Sequence, residues 1–459
     1  MRILMHSAKW QDNKKYIKDA FRMAWPSVIE SFCVSFVGMV DSMMVSKLGS
    51  YAVAAVGLTT QPKFICLAMF IATNVSVSAL VARRKGEQNR EDANRVLLTA
   101  LTFVLFAGVI VSLLAILLAD PVIAMMGSQA DTHDSAVSYF RIIMAGIIFN
   151  IVTLVINAAQ RGSGNTKISM RTNLTSNIVN VIGNYLLIEG HLGFPAWGIE
   201  GAAIATVIGS MVACGMSIYS LFESRSFVNI PWAISNKLRA TWANAKQLFK
   251  LASNVFVEQI FLRIGFLSVS VMAANLGTQQ FAVHQVGMNV MSLSFSFGDG
   301  MQVAAVSLIG QSLGQKDPEK AKRYGIICQR MGNIISIVLS ILYLVAGRWF
   351  FGLYFDKATE ATAISLGVEI MRVMVFIVLM QVSQVIYMGC LRGAGDVRFT
   401  TIASIISVTF IRPLSSFLFA YVLSLGVIGI WIGVIGDQLC RLILTSWRFK
   451  SGKWTKIKI

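Results

Sequence analysis

Charged residues make up only 14% of this 459-residue chain, against about 25% in a soluble domain. Water is therefore not the solvent for most of its surface, and no stretch is left over for a sizeable soluble domain. Histidine is scarce. His6, His133, His191 and His284 are the four present, and none lies near another, which excludes the clustered His or carboxylate set of a membrane-embedded metalloenzyme. The six cysteines, Cys33, Cys66, Cys214, Cys328, Cys390 and Cys440, have no paired spacing, so neither a disulfide framework nor a zinc site is expected. No phosphate-binding GxxxxGKS or GxxxxGKT loop occurs, which argues against direct ATP drive. A short apolar core with a small-residue cleavage site is also missing near the start, so no removable signal peptide is expected.

What remains is apolar: 55% of residues are hydrophobic. A bilayer-crossing helix needs roughly 20 mostly apolar residues. Runs of that length recur near 21–46, 53–80, 95–119, 136–159, 168–188 and 199–221, and again near 248–274, 282–312, 326–353, 365–390, 400–423 and 426–447. The expected fold is an all-α integral membrane protein with twelve transmembrane helices in two six-helix lobes. Residues 1–222 form the N-terminal lobe, 223–247 a polar connection with Pro231, and 248–459 the C-terminal lobe.

The net charge of +18 raises the question of nucleic acid, but the basic residues sit in short connections and not on one soluble face. They answer a topological question instead. The N-terminal arm (Arg2, Lys9, Lys14, Lys15, Lys18), the stretches Arg83 to Arg95, Arg161 to Arg171, Arg225 to Lys250 and Lys316 to Arg323, and the tail after Arg441 are basic. The intervening connections, around Asp120 to Asp134, Glu189 to Glu200, Asn275 to Thr278 and Ser424 to Gly426, contain no Lys or Arg. Lys47, Arg348 and Lys357 are isolated exceptions. The positive-inside rule then puts both termini in the cytoplasm.

Internal repetition supports the two halves. GEQNREDANR from Gly86 aligns with GQKDPEKAKR from Gly314, Leu48-Gly49 with Leu276-Gly277, Glu30 with Glu258, and Gly198 and Gly201 with Gly426 and Gly429. With a small insertion, Arg161-Gly162-Ser163-Gly164 meets Arg392-Gly393-Ala394-Gly395, and Arg141 meets Arg372. An ordered series of this kind is a duplication. Six spans per half give both halves one orientation, which predicts a pseudo-two-fold axis along the membrane normal. Asp41 falls opposite Val269, and a set of asparagines falls opposite Ser404, Val408, Ile411 and Ser415. The chemistry they carry belongs to the N-terminal half.

Asp41 stands about fifteen residues inside the first span, past Pro26, and a carboxylate at that depth is a functional candidate. The plainer alternative is an acid near a helix end, hydrated from outside. Asn173, Asn177, Asn180 and Asn184 share one helical face of the fifth span. Either they hydrogen-bond between helices, or their oxygens line a wet cavity and help Asp41 hold a proton or sodium. Thr206 in the sixth span adds a hydroxyl or merely packs. In the second half, Glu258, Arg263, Asp299, Gln381, Gln384, Arg412, Asp437 and Arg441 lie at membrane depth, where charges normally pair. Asp437 and Arg441 are four apart and can bridge locally. Glu258 and Arg263 face different ways, so each needs a partner on another helix. Glu258 is the favoured functional residue among them, and Asn177, Glu258, Arg263, Asp299, Gln381 and Gln384 are candidates for substrate or coupling roles. His284 reads as a packing residue. The 22 methionines and 28 phenylalanines suit an adaptable apolar cavity or an ordinary membrane core.

The segments SFVGMVDSMMVSKLGSYAVAAVGL, QRGSGNT, GIEGAAIATVIG, NLGTQQFAVHQVG, LIGQSLGQKD and CLRGAGDVRFT resemble, in order and over nearly the whole chain, those of the multidrug and toxic compound extrusion (MATE) family. The resemblance implies two six-helix lobes around a central cavity and cation-coupled antiport of amphiphilic, often cationic, compounds. It implies that Asp41 matches the family's essential first-helix aspartate, Asn180 and Asn184 polar fifth-helix positions, and Thr206 a sixth-helix threonine near that site. A sodium ion at Asp41, Asn180 and Asn184 is one form of such a site. Glu258 matches a seventh-helix glutamate of sodium-coupled members, which pair it with a tenth-helix acid; this chain offers Gln381 and Gln384 there. The expectation is a secondary multidrug exporter of the bacterial inner membrane, driven by H+ or Na+ with no other cofactor. Its substrates are small organic cations, its surroundings the bilayer, and it acts as a monomer without nucleic acid. The alternatives are a lipid-linked oligosaccharide flippase of the same larger group, disfavoured because the basic residues lie in loops, and a membrane enzyme or channel. A channel would need a repeated filter segment, and the duplicated segments are loop and helix-end motifs.

Overall fold

The computed structural model describes residues 2–130, 132–224, 226–352, 354–355 and 361–457, and the side chains of all of these except 2–13, 50 and 278. Asp131, Arg225 and Lys357 of the charge pattern lie outside them, as do the side chains of Arg2, His6 and Lys9.

Twelve helical spans follow one another: α1 (Arg2–Ser46), α2 (Ser50–Gly86), α3 (Arg90–Leu117), α4 (His133–Ala145 and Ile147–Gly162), α5 (Thr166–Leu187) and α6 (Gly198–Ser220). The second half continues with α7 (Trp242–Asn275), α8 (Thr278–Gly314), α9 (Pro318–Phe351), α10 (Ala361–Gly393), α11 (Val397–Val422) and α12 (Gly426–Lys450). Nine of these are long and apolar enough to cross a membrane by composition alone, and α4, bent by 45° at Gly146, is a tenth, among the described residues. The other two are α5 and α8, whose amides, hydroxyls and glycines dilute their apolar content.

The duplicated motifs are turn chemistry. Asn89 caps α3 by accepting from the Asp92 amide at 2.9 Å, and Asp317, its counterpart, caps α9 by accepting from the Lys320 amide at 2.9 Å. The residue before each cap, Gln88 or Lys316, is left-handed at φ 56° or 59°. The matched pair Gly49 and Gly277 takes φ 113° and 105°, conformations that a Cβ would strain. The repeat was therefore retained where the backbone demands particular residues.

The chain forms two compact units, Ile29–Phe256 on the one hand and Met1–Val28 with Val257–Ile459 on the other. Asp19 accepts from the Tyr324 hydroxyl at 2.9 Å, and Tyr16 meets the Tyr324 ring edge-on at 4.8 Å. These contacts tie the start of α1 to α9. In the Ile29–Phe256 unit, α5 and α6 pack closely, because Gly183 faces the Ala205 Cβ and Gly209 faces the Ser176 carbonyl, at 2.9 Å from where a Cβ would stand in each case. The counterpart of α5 differs: α11 carries π-helical turns at Ile405–Ile411 and Leu418–Val422 on either side of Arg412-Pro413. Proline lacks an amide donor, and the ladder widens around it.

Candidate functional site

Asp41 lies on α1 five residues before the helix ends, half-buried, in a cavity of about 230 Å³ lined also by Thr60, Tyr139, Asn184 and Thr206. The close α5–α6 packing brings the amides to it. Asn184 donates from Nδ2 to Asp41 Oδ1 at 2.8 Å. Asn180 stands between Asp41 and Thr206. Oriented so that both of its ends find complementary partners, its Nδ2 donates to the two Asp41 oxygens at 2.8 and 3.0 Å. Its Oδ1 then accepts from the Thr206 hydroxyl at 3.1 Å. Three expected residues thus meet around the expected carboxylate, but the amides present nitrogen to it, not the oxygens expected for a cation.

The four-asparagine stripe does not act as one group. Asn173 donates to Glu30 at 2.6 Å. Glu30 also accepts from Ser169 at 2.8 Å and pairs with Arg161 at 3.2 Å, and Arg161 reaches Asn74 at 3.1 Å. Asn177 lies between the two clusters. Its buried Nδ2 has no hydrogen-bond partner among the described residues, and it is the polar residue in a groove of about 290 Å³ lined by Phe32, Phe36, Ile178 and Ile182.

The second half repeats the Glu30 cluster and not the Asp41 site. Glu258 is buried and receives Arg392 Nη2 at 2.7 and 2.8 Å, with the Ser404 hydroxyl at 2.7 Å. Glu258, Arg392 and Ser404 are the duplicates of Glu30, Arg161 and Asn173. The residue favoured for function in this half is therefore the acid of a symmetric ion pair. Asp299 on α8 has Arg392 as its charged neighbour. Gln384 donates to Gln438 at 3.3 Å, while Gln381 is buried with neither polar atom satisfied among the described residues. Asp437 accepts from Arg412 Nε at 2.9 Å and, as the four-residue spacing predicts, from Arg441 Nε at 3.0 Å. Arg263 is half-buried on α7. His284 is buried beside Trp431, with ring centroids 5.6 Å apart, in a packing position. No group of three or more His, Cys, Asp or Glu side chains suited to a metal occurs among the described residues.

Two residues of the site escaped the sequence reading. Tyr139 of α4 lines the Asp41 cavity, and nothing in its local sequence distinguishes it. Lys63 of α2 is different. It is the single charged residue between Ser50 and Ala82, so the rule that singled out Asp41 applies to it equally.

The family model MatE matches residues 26–186 and 255–418. The chain belongs to the MatE family. Among its relatives, the probable multidrug resistance protein NorM of Thermotoga maritima is 26% identical over 96% of this chain and 93% of its own length. The uncharacterized transporter YisQ of Bacillus subtilis is 25% identical over 95% and 94%. A crystal structure of MATE in complex with MaL6 superposes with a TM-score of 0.89 at 22% identity, covering 95% of this chain and 97% of that one. A MOP superfamily transporter from Pyrococcus furiosus, whose binding pocket is described as of reverse polarity, also gives 0.89, at 21% identity over 96% and 97%. This MATE chain is accordingly a multi-pass membrane transporter with twelve spans in two six-helix lobes.

Proposed function

We propose that this transporter exports amphiphilic organic cations in exchange for an inward-moving cation, proton or sodium, by alternating access, with Asp41 as the group for which the two compete. The observation that carries the reading is a half-buried carboxylate within an apolar, membrane-crossing helix, held by two amides and open to a cavity of about 230 Å³. Such a group is costly unless it has work with ions. A carboxylate occupied by one cation at a time couples two fluxes, because each cation binds best when the other has left. Asn180 and Asn184 hold its charged form, Thr206 orients Asn180, and the apolar groove at Asn177 suits the body of an amphiphile. The names of the multidrug resistance relatives support the substrate class. The ion-paired state of Glu258 favours coupling in the N-terminal half, residues 1–222, over the C-terminal half, residues 248–459. The charge pattern supports cytoplasmic termini in a bacterial inner membrane, and the complete helical set of each half is consistent with a working monomer.

The test is efflux of ethidium, an organic cation, from proteoliposomes with independently imposed proton and sodium gradients. Asp41→Asn keeps the shape and removes the charge, so gradient-driven efflux is expected to be lost while the protein still inserts and purifies as a single species. Wild-type rates in this variant would overturn the assignment.

A further inference from the structure

Lys63 sits one residue after Pro62 in α2, and it lines a second, smaller cavity of about 30 Å³ with Asn150, Thr206 and Ser210. A space of that size is large enough to hold a water molecule. Thr206 belongs to both cavities, so the Lys63 and Asp41 spaces meet at its side chain. Lys63 makes no hydrogen bond or ion pair among the described residues, and Asp41 is the acid among the residues that line these two cavities. Its duplicate position is Met291, fully buried and apolar. Asp41, opposite Val269, and Lys63 thus share the same asymmetry: both charges exist in the first half and neither in the second.

We propose that the Lys63 ammonium is a tethered counter-cation of Asp41, a specificity-determining group that keeps sodium from the carboxylate and so makes a proton gradient the driving force. The inference rests on Asp41 being the coupling site. The groups facing Asp41 from α5 are amide nitrogens, and the charged residue lining the adjoining cavity, Lys63, is positive, so an unoccupied carboxylate is stabilised without a bound metal. Sodium needs several oxygen ligands as well as a net negative site. The oxygens are at hand in Asp41, the Thr206 hydroxyl and the Asn184 Oδ1, which is buried without a partner among the described residues. The charge balance is what fails: one carboxylate cannot neutralise both the ammonium and sodium. The ammonium opposes a proton as well, but a proton bonds covalently to one oxygen and needs no ligand shell, so it keeps an affinity for the carboxylate that sodium lacks. A cationic substrate arrives with apolar surface of its own to bury, which sodium lacks.

The experiment is binding of radioactive sodium to purified, detergent-solubilised protein at high pH, in the wild type, Asp41→Asn, Lys63→Gln, Lys63→Arg, and Lys63→Gln combined with Asp41→Asn. An opposite charge close by lowers a carboxylate's proton affinity by about 10- to 1,000-fold, and a sodium ion meets the same field. Lys63→Gln is therefore expected to gain sodium binding by about ten-fold or more, Lys63→Arg to stay at the wild-type level, and the double variant to lose the gain. In proteoliposomes Lys63→Gln is further expected to acquire ethidium efflux driven by a sodium gradient. Asp41-dependent sodium binding by the wild type overturns the proposal, and so does a folded Lys63→Gln protein that binds no more sodium than wild type. Should Lys63→Gln fail to fold, Lys63→Met and the wild-type measurement carry the same decision. Failure of the underlying reading looks different: Asp41→Asn would then retain gradient-driven efflux whatever the sodium data show.

Discussion

Asp41 gains its value from what surrounds it. The charged form accepts from Asn184 and Asn180, and hydrogen bonds to a charged group contribute about 1.5–3 kcal/mol each. Asn184→Leu is therefore expected to weaken coupling by roughly ten-fold or more, read as the efflux rate at fixed gradient, with expression and folding close to wild type. Unchanged transport and ion dependence would mean that the amide is interhelical glue. Glu258 presents the contrasting case. It is buried with Arg392 and Ser404 as partners, and removing one member of a buried pair leaves an uncompensated charge at a cost of about 3–5 kcal/mol. Arg392→Met is thus expected to lower thermal stability in detergent substantially. The double change Arg392→Met with Glu258→Gln should recover much of that stability together with efflux. Loss of efflux by a stable double variant would restore a coupling role to Glu258.

At the scale of elements, α5 shows why a periodic stripe is not a site. Four asparagines share one face, yet successive turns of a helix rise 5.4 Å along its axis, and different neighbours meet each turn. Asn173 meets Glu30 and Asn184 meets Asp41. What sets the Asp41 end is the approach of α5 to α6: a Cβ added at Gly183 would stand 2.9 Å from the Ala205 Cβ, and one at Gly201 would stand closer still to the Leu187 carbonyl oxygen. Gly183→Val is expected to force these helices apart at about 1–3 kcal/mol, lowering the melting temperature and moving Asn180 off its partners. Efflux should fall although Asp41 is intact. A variant with wild-type melting and efflux would show that the spacing of α5 and α6 is not critical.

For the whole molecule, duplication conserved turns and the Glu–Arg ion pair in both halves while leaving Asp41, Lys63 and the paired amides in one. A membrane protein needs its loops, caps and buried charges satisfied in every half, but one coupling site suffices to link two fluxes. Orientation follows from loop charge. Single cysteines at Gln129 and Lys316, both exposed, in a cysteine-depleted background are expected to react with an impermeant thiol reagent from the outside and the inside respectively. Labelling of both from one side would sink the twelve-span topology.

Composition and pattern alone determined the solvent and the number of spans, because both depend on apolar length and on turn residues that are local properties of the chain, and the ordered segments pointed to the family by their resemblance. Asp41, Asn180, Asn184 and Thr206 were also legible as a set, since a polar residue at membrane depth stands out against its neighbours. Lys63 carried the same signal and is found only once the tertiary structure is examined, along with Tyr139. Sequence could not decide which buried charge is spoken for. Neither Glu30 nor Glu258 finds its partner on its own helix, and the arginines that satisfy them come from more than 130 positions away. Pairing in a membrane is settled by which helices touch, and that choice belongs to the packing of the whole unit.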